Sequence, residues 1–265
     1  MRNRESGKKE ARPAASRAGA ALLLPLALVG CLDYAQDVTL FPDGSGMITR
    51  TLGVKRDALN LLRALTKGKG APADPLRDFA DLDRLKEASR GIAAWGRPER
   101  SSAGGWDSVR VTAFFEDVDQ VRLFLVQESD GVLERRLEFA AKRREGPSSH
   151  VLEIDPTSRD AVNPDDPRLK PLLALMGEAK VRFTVRVPGT IVRAEGFAEA
   201  EGRTATLLFD RARIEPALRQ PKSAASLALD RLLDERPRIA WTPGPVPEDE
   251  RAAFRRAFEA ARGAR

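Results

Sequence analysis

The chain of 265 residues has one cysteine, one histidine, one tyrosine and three tryptophans, and only 6% of it is aromatic. A lone cysteine excludes an internal disulfide framework. The lone histidine, His150, directly follows Ser148 and Ser149, and adjacent strand residues face opposite sides of a sheet, so no proton path joins them. His150 reads as an ordinary surface histidine, and no hydrolase triad can be built around it. Long apolar runs are equally scarce: the segment from Ala18 to Gly30 falls short of the roughly 20 residues that span a bilayer, and no second candidate follows. With few aromatics, and with Lys and Arg interspersed among Asp and Glu, the chain also lacks the basic, base-stacking surface of a nucleic-acid binder.

What the chain does have is a patterned N-terminus. Arg2, Arg4, Lys8, Lys9, Arg12 and Arg17 precede the apolar segment, the order of a secretory signal. The segment ends in Leu28-Val29-Gly30-Cys31, which contains the only cysteine and is followed by the polar run Asp33-Tyr34-Ala35-Gln36-Asp37. This box resembles the lipid-attachment signal of bacterial lipoproteins, in which a small residue precedes a cysteine acylated on sulfur before cleavage. The resemblance implies a signal at 1–30, an acylated tether at 31–36 and a protein held on the membrane by several acyl chains, more stably than one chain allows. It also implies membrane lipid as a partner through Cys31. Leu32 after the cysteine, in place of an Asp, favours delivery to the outer membrane, facing the periplasm.

Targeting also accounts for most of the net charge. Of the formal +6, the first 30 residues hold six basic and two acidic side chains, leaving 39 basic against 37 acidic groups in the remaining 235 residues. The basic pI near 9.7 is thus largely a property of the signal.

Residues 37–55 predict a hairpin around Pro42-Asp43-Gly44-Ser45-Gly46, a turn cluster that lacks the spacing, helix and Lys-Ser/Thr pair of a phosphate loop. A helix is expected at Leu59 to Leu65 and a second over 74–89, its acids Asp74, Asp78, Asp81 and Asp83 forming a solvated face and no metal site. Alternation at Val109, Val111, Ala113 and Phe115 predicts a strand. Glu116 to Phe124 reads as a short capped helix, followed by adjacent antiparallel strands at 131–143 and 148–155.

A polar loop then leads to an amphipathic helix at 168–179 whose stripe is Leu169, Leu172, Leu173 and Met176. That stripe reads as core packing or, with Phe183, as the apolar wall of a ligand cavity. Val181 to Val187 alternates strictly and is expected to pair antiparallel with the segment from Ile191, with a third strand at 204–210. Helices near 223–234 and 248–261 predict a helical extension over 211–265. In the last helix, Phe254 and Phe258 stand one turn apart, a face that docks on its own domain or meets a partner or membrane surface.

Every acidic cluster has a cap, turn or solvated-face explanation. No catalytic residue, metal ligand or cofactor is expected. The order Asp37-Val38-Thr39-Leu40 with Asp43-Gly44-Ser45-Gly46, then Val109 to Phe115 with Glu116-Asp117-Val118-Asp119, then Val181 to Gly189 before Ile191, resembles the LppM-type bacterial lipoprotein domain. The resemblance implies an α+β domain over 37–210: a curved antiparallel sheet with packed helices, and binding of lipid or glycolipid. Two functions are therefore expected to compete, a non-enzymatic binding or scaffolding lipoprotein at the cell envelope with an envelope protein as partner, and a carrier or sensor of lipid in an apolar cavity.

Overall fold

The computed structural model describes residues 32–66, 74–129, 132–146, 149–156, 180–209 and 237–264. Strand β1 (Leu32–Leu40) and strand β2 (Gly46–Lys55) form the expected hairpin. In the turn, the Asp43 carboxylate accepts hydrogen bonds from the Ser45 backbone N–H (3.1 Å) and hydroxyl (2.6 Å). Helix α1 (Arg56–Thr66) follows. The stretch expected as one helix is two, α2 (Pro75–Phe79) and α3 (Leu82–Glu87), because Asp74 and Asp81 are both N-caps. Asp74 accepts from the Arg77 N–H and Asp81 from those of Asp83 and Arg84, so two of the four acids terminate backbone donors.

Three short strands that the sequence pattern does not announce come next, β3 (Ser89–Arg90), β4 (Ala94–Trp95) and β5 (Glu99–Ala103), then the long β6 (Trp106–Phe115). The helix expected at 116–124 does not form. Asp117 caps a single 3-10 turn, Val118–Gln120, after which Val121 is extended and β7 (Arg122–Ser129) begins. Val121 and Leu123 are buried in the core, and the run of apolar and β-branched residues favours the extended form. Strands β8 (Val132–Glu145) and β9 (His150–Pro156) pair antiparallel as expected.

The remaining strands are β10 (Lys180–Arg186), β11 (Gly189–Glu195), β12 (Glu199–Glu201), β13 (Thr204–Phe209) and β14 (Arg238–Pro243), before helix α4 (Glu248–Gly263). The expected antiparallel pairing of the Val181 strand with the Ile191 segment does not form. Instead β10 lies parallel to β1 and antiparallel to β13, and the chain changes sheet at Pro188-Gly189 so that β11 pairs with β14. Strict alternation fixes which residues of a strand are inside, but it does not name the strand's neighbour.

Two sheets result. Sheet A has the order β12-β13-β10-β1-β2-β6-β4, with β5 also on β6, and sheet B the order β11-β14-β9-β8-β7-β3. All pairs are antiparallel except β1 with β10. One apolar core joins both sheets: Val38, Ile48, Val111 and Phe115 of sheet A cluster with Phe139, Leu152, Ile239 and Trp241 of sheet B. Helices are few, so the fold is a strand-rich α+β arrangement in place of a single sheet with packed helices. Two boundaries also move. Residues 32–36, expected as a tether, are the first half of β1 and lie between β2 and β10, and the expected helical extension supplies β14, which sits between β11 and β9 in sheet B.

Helix α4 docks on its own domain. Phe254 packs at a tilt against Phe41 (centroids 4.4 Å apart) and Phe258 stacks on Phe114 (5.7 Å), on the face of sheet A opposite the main core. At the helix N-terminus Glu250 receives Arg203 at 3.0 Å and Arg186 at 3.5 Å, which fixes the helix along the ends of β10 and β13. Arg203 and Glu250 are half-buried, where an ion pair is less screened than at an open surface, whereas Arg186 is exposed.

Candidate functional site

The residues that sequence reasoning singled out fall in two groups. Leu28, Val29, Gly30 and Cys31, and the stripe Leu169, Leu172, Leu173 and Met176, lie outside the described residues. Phe183 is described. It is half-buried on β10, on the inner side of sheet A, with its ring 5.8 Å from that of Phe139 in sheet B, so it takes part in packing between the sheets. His150 opens β9 and packs edge-on against Trp241 at 5.5 Å, so it is half-buried against the core and not simply a surface residue.

The arrangement brings together a different set. Residues 86–97 wrap an open cleft of about 610 Å³ between α3, the β3–β4 connection and the C-terminal end of α4. That volume lies within the range of small-ligand sites. Trp95 forms part of its wall, with Ala94, Ile92 and Ala261. Lys86, Arg90 and Arg97 also line it, all three exposed, and no carboxylate is among the lining residues. Lys86 stands 3.9 Å from the fully exposed Asp83, a solvated contact of little energy.

Such a site attracts negative charge, and its guanidinium groups suit carboxylate or phosphate oxygens, which they can bind with two parallel hydrogen bonds. It holds no paired nucleophile and base: the one hydroxyl there, Ser89 Oγ, donates to the Lys86 carbonyl at 3.3 Å. Sequence patterning missed the cleft because its strands are two residues long, too short for any period to show. The available signal was the density of Arg and Gly around a lone Trp in Arg90-Gly91-Ile92-Ala93-Ala94-Trp95-Gly96-Arg97.

A second polar feature sits inside the core. Arg50 on β2 is 7% exposed, and its Nε donates to the Tyr34 hydroxyl (3.1 Å), which donates to Gln36 Oε1 (2.9 Å). Its guanidinium also lies 5.3 Å from the Phe79 ring centre. These contacts satisfy a buried charge in part by hydrogen bonding and in part by the ring faces. At the opposite end of sheet A from the cleft, Ser102 and Arg56 both donate to the Asp107 carboxylate and hold its pKa below the ordinary value.

Among the described residues no three His, Cys, Asp or Glu side chains are grouped to hold a metal ion, and no helix is long and apolar enough to cross a membrane. No protein-family model and no curated protein matches the chain. Among solved structures it is similar to the NMR structure of the folded domain of the Mycobacterium tuberculosis LppM protein, with 12% identity, 90% of this chain and 98% of that one covered, and a TM-score of 0.37.

Proposed function

We propose that the chain is an exported lipoprotein, anchored at the cell envelope through acylated Cys31, with a non-enzymatic binding role. The observation that carries this reading is the Leu28-Val29-Gly30-Cys31 box at the end of a short apolar segment, followed one residue later by the first strand of a folded domain. The anchor places the domain, and the cationic cleft beside Trp95 is its contact surface. Its partner is an acidic segment of an envelope protein, chosen by the three cations and the lack of any carboxylate in the cleft lining. Leu32 after the cysteine favours the outer membrane as the site of attachment. Among the described residues nothing favours the lipid-carrier reading over this one, since Phe183 spends its ring on Phe139.

Two substitutions test the two halves separately. Cys31→Ser should move the protein out of the membrane fraction, and unchanged fractionation would contradict the anchor. The double change Arg90→Ala and Arg97→Ala should leave fractionation and thermal stability almost unaltered, within about 0.5 kcal/mol, since both side chains are exposed. It should abolish envelope cross-links made through the cleft. Cross-links that persist at full yield would remove the cleft from the account while leaving the anchor intact.

A further inference from the structure

We propose that the Leu32 end of sheet A is a membrane-contact surface that rests on the headgroups of the leaflet holding Cys31, and that the cationic cleft is thereby held at the far end of the domain. The proposal rests on the reading of Cys31 as acylated. Covalent reach confines this end of the domain to the bilayer surface. Consecutive Cα atoms are about 3.8 Å apart, so Leu32 lies one residue from the cysteine whose sulfur carries the lipid. The headgroup layer is roughly 5–8 Å deep on each side of a bilayer. A strand that starts at Leu32 therefore begins in or immediately above that layer.

The strand cannot easily peel away to make a tether. Leu32 pairs with Val54, and Asp33 pairs with Gly53 on one side and Lys180 on the other, so freeing even two residues breaks ladders on both flanks of β1. Whatever neighbours this end is carried to the membrane with it. At about 4.8 Å per strand, the next residues across are Lys55 on β2 and, paired with it, Trp106 on β6. The Lys55 ammonium lies 5.5 Å from the centre of the half-buried Trp106 ring. Trp and Lys side chains of this kind suit the boundary between headgroups and acyl chains, where an amphipathic ring and a long apolar stem with a charged tip are both accommodated. The exposed β5–β6 turn at Gly104 and Gly105 lies at the same end, its Gly105 carbonyl accepting from the Arg56 N–H at 2.9 Å.

The other end is set by the same register. Leu40 pairs with Gly46, Gly46 with Phe115, and Ala94 with Phe114, so β4 and the cleft belong to the Leu40 end. Nine residues of β1 separate the ends. That is about 30 Å at 3.4 Å per residue, which points the cleft toward the aqueous phase and away from the anchoring leaflet.

The test uses the full acylated protein in vesicles of phosphatidylethanolamine and phosphatidylglycerol, with a nitroxide placed by Ala103→Cys near the Leu32 end or by Gln120→Cys near the Leu40 end. Both positions are exposed, and the lipid occupies the sulfur of Cys31. The label at 103 should lose collisions with an aqueous relaxation agent and gain them with oxygen dissolved in lipid, while the label at 120 stays aqueous. Inserting eight Gly/Ser residues between Cys31 and Leu32 should return the label at 103 toward the aqueous value. If acylation is verified by mass and both labels are equally aqueous, the contact surface is wrong although the anchor stands. An unacylated N-terminus removes the anchor and this proposal together.

Discussion

Replacing Gly189 by alanine should destabilise the protein by about 3–5 kcal/mol, near the top of what single substitutions do. Gly189 is where the chain leaves sheet A for sheet B, and its φ of +147° is a conformation that side-chain-bearing residues rarely adopt. The backbone of β14 comes so close that a Cβ there would sit 2.0 Å from the Thr242 carbonyl oxygen. The β14 side cannot retreat, because β14 is held on its other side by β9. Gly202 provides the comparison. Its φ is also positive, +56°, but nothing lies within 4 Å of the missing Cβ. Gly202→Ala should therefore cost only about 1 kcal/mol, the backbone strain alone. Equal losses in chemical denaturation would show that the close passage of β11 past β14 is not what Gly189 serves.

Trp241→Ala should cost about 3–5 kcal/mol, the range for removing a fully buried large aromatic. At a few degrees per kcal/mol for a protein of this size, the melting temperature should fall by roughly 10 °C. Trp241 is 0% exposed, sits in the core that joins the two sheets, and carries His150 against its edge. Its indole N–H donates to no acceptor among the described residues, so the ring's contribution there is area and packing. Trp241→Phe should accordingly retain most of the stability, with a loss of about 1–2 kcal/mol. If Trp241→Ala instead melts like the parent, β14 is not a strand of the core and the C-terminal segment is the helical appendage that its composition suggests.

How much of this was legible in the chain follows from the range of each signal. The β1–β2 hairpin was readable because Asp43 and Gly44 encode the turn locally, and alternation in Val109 to Phe115 places those residues on the inner face of β6, where they are buried. The amphipathic stripe of α4 gave its docking face, since Phe254 and Phe258 share one side of the helix. Pairing between distant segments was not readable. The parallel contact of β10 with β1 joins residues about 150 positions apart, and nothing local in Val181 to Val187 distinguishes that neighbour from Ile191.

Trp241 lies in Arg238-Ile239-Ala240-Trp241, a strand too short and too close to several prolines to show a period of its own. The strand at 32–36 is hidden from sequence patterning for the opposite reason. Its residues are polar, yet Gln36 is 4% exposed and Tyr34 is half-buried, because the inner side of β1 faces Arg50 and its hydrogen-bonded partners. Patterns that sort apolar inside from polar outside cannot anticipate a buried polar cluster. The cleft escaped for want of periodicity, and only the fold brings α3, β4 and the end of α4 to one place.

Acylation of Cys31 underlies the anchor, the contact surface and the envelope role, and the mass of the N-terminal peptide from envelope-extracted protein tests it most directly. The expected peptide begins at a diacylglyceryl-modified cysteine followed by Leu32-Asp33-Tyr34, with no residue of 1–30 retained. A mature protein that begins elsewhere, or that carries an unmodified Cys31 thiol, would contradict the anchor, the membrane-contact surface and the envelope role together.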